Sequence, residues 1–211
     1  MIIDEFEIAT AFTSYLYLAK KPEFLESVKK VSKNQLDCLI GCCNRDSIYP
    51  VLQTNNFAYH PDILNFCQYI GKAGWHILKQ QGYNMDYHSV VINSLWCQDH
   101  AKFSGQEQHI HGMGSQLSGF YFLETPEESC HAVFHDPRVA KIYAGLPQSN
   151  IEDITPASDV IRFKPEPGLM MITNSWLPHS FTKNASEQSM KFIHFNLSVG
   201  PATQQNNVEV V

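Results

Sequence analysis

After residue 85 the chain becomes a succession of short apolar and aromatic runs: YHSVVINSLWC, LSGFYFLE, HAVFHD, DVIRF, GLMMITN, HSFTK and MKFIHFNLSV. Pro, Gly, Asn or Ser separates each run from the next. Many short strands with turn signals between them can bury their apolar faces only by packing sheet on sheet or closing a barrel. The first of these runs is expected to set Val90, Ile92 and Trp96 on one face against Val91, Asn93 and Leu95 on the other. The first third reads differently. A strand is expected near the end of residues 6–19. PEFLESVKKVS (22–32) opens on Pro22 with Phe24, Leu25 and Val28 at helical spacing. Residues 60–81 give the clearest helix, opened by Pro61 and closed by Gly82–Tyr83–Asn84. The expectation is therefore mainly β: a single domain over 1–211, with a helix-containing part (1–85), a β core (86–200) and a loose tail (201–211).

Composition narrows the function classes. Apolar residues make up 44% and charged residues 17% of the 211, as in a globular protein. The net charge of -6 and the absence of a Lys/Arg cluster argue against nucleic acid as a partner. No run of about 18 apolar residues suggests a membrane helix. The start, MIIDEFEIATAF, lacks the basic and apolar segments of an export signal, so a cytoplasmic location is expected. The six cysteines contain no CxxC pair and are expected as reduced thiols. GMGSQLSG lacks the lysine of a phosphate loop, and no GxSxG elbow is present.

The chemistry concentrates in QEQHIHGMGSQ. In an extended segment His109 and His111 share a face, with Ile110 on the other, and two converging imidazoles suit a transition metal. The third ligand expected is His179, in TNSWLPHSFTKN, where Pro178 bars a helix and Ser180–Phe181–Thr182 continue as a strand. A hairpin joining that strand to MKFIHFNL through NASEQS would set Lys191 beside His179. A metal and a positive charge would then be available to an anionic co-substrate. His135 and His194 are expected to be structural or exposed.

HIHGMGSQLSGFYFLETPE, then FHDPR, then FKPEPGLMMITNSWLPHSFTKN and MKFIHFNLS, together resemble the iron(II)- and 2-oxoglutarate-dependent oxygenases of phage and bacterial type, over about residues 88–199. The resemblance implies a double-stranded β-helix (jelly roll) core. It also implies iron(II), with 2-oxoglutarate and dioxygen as co-substrates. It implies a dioxygenase that hydroxylates a substrate with release of succinate and CO2. On this reading His109, His111 and His179 hold the metal, and Lys191 binds the far carboxylate of 2-oxoglutarate. Ser118 and Tyr121 could hydrogen-bond the co-substrate, and Asn174 and Trp176 could line the pocket.

The wider superfamily usually places Asp or Glu where His111 stands, so three ligand sets remain open. His111 can complete a three-histidine site, a carboxylate such as Asp136 can do so, or His111 can stand behind a water ligand. A neutral third ligand favours metals that accept imidazole, so zinc or nickel could substitute for iron. Asp136 and Arg138 have the simpler reading of a loop ion pair. Two rival functions are a cupin-like metal enzyme that does not use 2-oxoglutarate, and a non-catalytic jelly-roll binding module. Substrates from small molecules to protein side chains fit equally, and an edge strand could pair in a homodimer.

Overall fold

The computed structural model describes residue 7 and residues 9–40, 45–46, 48–112 and 114–202. Its strands are β1 (Leu16–Lys20), β2 (Val51–Gln53), β3 (His88–His100), β4 (Gln106–His109), β5 (Ser115–Glu124), β6 (Ala132–His135), β7 (Val160–Phe163), β8 (Leu169–Asn174), β9 (His179–Phe181) and β10 (Met190–Pro201). Two helices, α1 (Leu25–Ile40) and α2 (Leu64–Gln80), precede β3. The strands form two antiparallel sheets: a major one ordered β1-β8-β5-β10-β3-β2 and a minor one ordered β4-β9-β6-β7. From β3 on, the chain repeatedly crosses between the sheets, which gives the expected jelly roll.

The helices form where the sequence supplies starts and stops. Pro22 and Pro61 each open a 3-10 turn that runs into a helix. His60 Nδ1 accepts from the Asp62 N–H at 3.2 Å and so covers one free donor at that start. Gly82, at φ +92°, ends α2: its N–H donates to Lys79 O, and Tyr83 N–H donates to Leu78 O at 3.1 Å. α1 continues to Ile40, beyond the expected end near 32, because Leu36 extends the buried stripe begun by Val28 and Val31. Among the described residues no helix is long and apolar enough to cross a membrane.

Two apolar layers result. Val28, Phe66, Ile70, Leu95, Tyr121, Ile193 and Phe195 join the helices to the outer face of the major sheet. Phe120, Phe122, Phe134, Phe181, Met190 and Phe192 fill the space between the sheets. The central strands β5, β8 and β10 are therefore covered on both faces.

Three local expectations are corrected. The ladder between β3 and β10 shifts register at Asn196/Leu197, so Asn196 faces Ser94 while Leu197 faces Ile92. This bulge turns Ile92 to the helix side with Leu95, where strict alternation had grouped it with Trp96. β9 and β10 do not form a hairpin, because β9 pairs with β4 and β6 in the minor sheet while β10 pairs with β3 and β5 in the major one. Residues 182–189 are thus a crossover between layers. Finally, Pro201 still pairs with His88, and Ala202 N–H donates to Tyr87 O at 2.8 Å, where the loose tail was expected to begin. The remainder of that tail, 203–211, lies outside the described residues.

Gly119 on β5 marks the tightest packing. A Cβ there would collide with the Phe195 ring and lie 2.9 Å from Met171 O. The Gly119→Ala variant should lose about 1–3 kcal/mol of stability, as overpacked cores do, measured by urea denaturation; an unchanged midpoint would refute this account of the packing.

Candidate metal centre

At one end of the inter-sheet layer β4 and β9 pair, with His109 directly opposite His179. His111 follows β4, and its backbone N–H donates to Ser175 O at 2.8 Å. The ligating atoms of His109, His111 and His179 all lie within 4.8 Å of one another, although 68 residues separate His111 from His179. His111 Nε2 and His179 Nε2 are 3.2 Å apart. Neighbouring ligands of an ion about 2.1 Å from each nitrogen are separated by roughly 3.0–3.4 Å, so the spacing fits a shared metal.

The hydrogen bonds fix which nitrogen can ligate. His109 Nδ1 donates to Glu107 O at 2.7 Å, and His179 Nδ1 donates to Leu177 O at 3.0 Å. A carbonyl oxygen only accepts, so each Nδ1 carries the proton and each Nε2 of the neutral ring keeps its lone pair. Main-chain partners of this kind orient metal-binding imidazoles. Burial, with His109 nearby, pushes His111 down to about 4. Burial also pushes His179 down to about 3, against the raising effect of the Leu177 carbonyl. Both are neutral near pH 7, the form that binds metals. Phe120 and Phe134 pack against His179, which is 1% exposed, while His109 and His111 are half-buried and reach the surface beside exposed Ile110 and Trp176.

Strand parity sorts the other candidates. Ser118 shares the inner face of β5 with Phe120 and donates to Asn196 Oδ1 at 2.7 Å. Tyr121 points the other way, into the helix layer, where its hydroxyl donates to Lys21 O at 2.6 Å. Asn174 also faces the helices and exchanges two amide hydrogen bonds with Gln81, at 3.0 and 2.9 Å. Lys191 is likewise on the outer face, ion-paired with Glu124 and lining a cleft of about 450 Å³ beside α1. Lys191 and Tyr121, expected at the co-substrate, and Asn174, expected to line its pocket, are thus turned away from the histidines, each by a single-residue step along its strand. Asp136 is held by Arg138 and Lys141, as a loop ion pair, and stands apart from the histidine cluster.

His194, expected to be structural or exposed, lies beside the cluster. It is buried, its Nε2 lies 3.1 Å from His111 Nε2, and its ring stacks on Trp96 at 4.4 Å between centroids. Burial holds it well below its ordinary pKa. His194 Nδ1 and Trp96 Nε1 are buried without a hydrogen-bond partner, so polar atoms beside the cluster are free to meet a ligand. Nothing in MKFIHFNL singles this histidine out, because β10 is buried on both faces and shows no polar alternation.

These features define a jelly-roll protein with three imidazoles between its sheets that could hold a metal ion. Residues 94–196 match the family described as "Putative 2OG-Fe(II) oxygenase". No curated protein matches the chain. AviO1 from Streptomyces viridochromogenes is similar in fold, with a TM-score of 0.61 and 12% identity over 90% of this chain and 93% of that one. A prolyl-4-hydroxylase from Pseudomonas putida gives a TM-score of 0.57 and 7% identity over 89% and 95%. HygX from Streptomyces hygroscopicus, solved with nickel and 2-oxoglutarate bound, gives 0.55 and 9% over 88% and 83%. At these identities the likeness is one of fold.

Two outcomes test the centre. Replacing His179 with Ala should weaken cobalt(II) or zinc(II) binding by about a hundredfold or more, since an inner ligand matters at least as much as the groups that orient it. Calorimetric titration measures this, and an unchanged affinity would exclude His179 as a ligand. The second outcome concerns pH. Unfolded imidazoles titrate near 6.5, whereas burial holds folded His100 and His111 at about 4 and His179 at about 3. Below about pH 6.5 the unfolded chain therefore binds protons that the folded chain refuses. Stability of the metal-free protein should be full above that pH and fall toward pH 4, with a slope of up to ~1.4 kcal/mol per pH unit from each buried ring. Urea midpoints measured with a chelator at about pH 7.5 and about pH 5 check the sign.

Proposed function

We propose that the chain is an iron(II)- and 2-oxoglutarate-dependent dioxygenase. Its reaction would join one oxygen atom to a substrate C–H bond as C–OH and convert 2-oxoglutarate and dioxygen to succinate and CO2. The observation that carries this reading is the convergence of one ring nitrogen each from His109, His111 and His179, within 4.8 Å of one another. The family match over 94–196 and the nickel and 2-oxoglutarate held by HygX support it. So does the solved complex of the epimerase SnoN with Fe3+ and alpha ketoglutarate.

Bound iron would supply the redox chemistry that couples keto-acid decarboxylation to substrate oxidation. The protein's own contribution is geometric. Three neutral imidazoles would hold the ion from one side and leave its other positions to exogenous ligands. The Glu107 and Leu177 carbonyls keep two of those rings in register. Phe120 and Phe134 exclude water from the buried side, and His194 offers a ring nitrogen along the His111 flank. A small molecule or a protein side chain would approach over the rim at Ile110 and Trp176, both exposed.

The purified chain, reconstituted with iron(II) under reducing, oxygenated conditions, should convert 2-oxoglutarate slowly to succinate even without its substrate. The His179→Ala variant should not. Absence of succinate from the intact protein with bound iron would refute the reading and favour a metal enzyme that does not use 2-oxoglutarate.

A further inference from the structure

The cleft of about 450 Å³ beside α1 lies on the helix side of the major sheet, across that sheet from the histidines. Asp99, Lys191 and Glu124 line it from neighbouring positions on β3, β10 and β5, with Lys191 opposite each carboxylate in register. Lys29, Ser32 and Leu36 line it from α1, where their spacing puts them on one face. Its size is that of a small-molecule site.

Two polar groups in this lining are buried with nothing to bond. Asp99 is 3% exposed and Ser32 2%. Asp99 Oδ2 accepts from Arg45 Nη2 at 2.5 Å, but Asp99 Oδ1 and Ser32 Oγ have no partner among the described residues. A bare carboxylate oxygen out of water is costly, and an occupant of the cleft that brings a donor would remove that cost. Among the described residues the convergence of three metal-ligating side chains is found at the histidines and not here, so the cleft offers no metal site.

Charge narrows the occupant further. Arg45 already neutralises Asp99, Lys191 pairs with Glu124, and Lys33 pairs with Asp37. An ammonium at Asp99 Oδ1 would face Arg45 and Lys191, whereas a hydroxyl would donate there without repulsion. At the more exposed edge Lys29 and Lys30 stand against the single carboxylate of Glu26, which leaves an excess of positive charge for an anion.

We infer that this cleft binds a small sugar or polyol phosphate, with a hydroxyl held by Asp99 Oδ1 and Ser32 Oγ and the phosphate held by Lys29 and Lys30. The site is separate from the histidines and does not depend on the reaction proposed above. The test is calorimetric titration of the full chain with glycerol 3-phosphate, ribose 5-phosphate and glucose 6-phosphate, and with inorganic phosphate as the control. At least one of the three esters should bind with a Kd below about 1 mM and about tenfold or more below that of inorganic phosphate. Ser32→Ala and Lys29→Gln should each weaken that binding about fivefold, the worth of one hydrogen bond. Lys29 is half-exposed, so its variant serves even where Ser32→Ala fails to fold. His179→Ala should bind the ester as the parent does. The inference is overturned if none of the esters binds, if inorganic phosphate binds as tightly, or if Lys29→Gln binds like the parent. It is equally overturned if His179→Ala abolishes the signal, because the phosphate would then sit on a metal at the histidines.

Discussion

Everything in this molecule turns on which side of the major sheet a side chain leaves. β5, β8 and β10 are packed on both faces, against the two helices on one side and the minor sheet on the other. Successive residues therefore enter separate compartments. His194 and Lys191 are three residues apart, yet one meets His111 and the other meets Glu124 on the far side. Ser118 and Tyr121 are divided in the same way on β5. The two compartments also differ in kind: the helix side carries ion pairs at its rim, and the inter-sheet side carries neutral imidazoles among aromatic rings.

This explains what could be read from the sequence. The β-rich core was legible because its strands are short and punctuated, and the two helices because their caps and apolar stripes are strong. The histidine pair was legible because a spacing of two means one face in any extended segment. His179 could be nominated because Pro178 and the residues after it allow only a strand. Parity within doubly buried strands was not legible. In LMMITN or MKFIHFNLS both faces are apolar, so the alternation that would place Asn174, Lys191 or His194 leaves no trace. The Asn93 bulge and the crossover after Phe181 were hidden for a related reason: each depends on which strand becomes the neighbour, a long-range fact.

The inter-sheet layer has a consistent electrostatic character. Its imidazoles are buried close together, and each resists protonation because a charged ring would lose solvent and face other rings. A divalent ion reverses that balance, since lone pairs that cannot hold a proton there can still hold a metal. In such surroundings fixed dipoles matter more than formal charges, and the orphaned nitrogens of His194 and Trp96 are the polar groups left uncommitted beside the cluster.

The Glu107 and Leu177 carbonyls that steady His109 and His179 belong to the main chain, two residues upstream of each ring. Orientation of these rings is therefore written into strand geometry and asks nothing of surrounding side-chain identity. Walls, rim and helices can diverge freely while the tethers persist. A fold organised in this way can change what it recognises many times over without having to reinvent its centre.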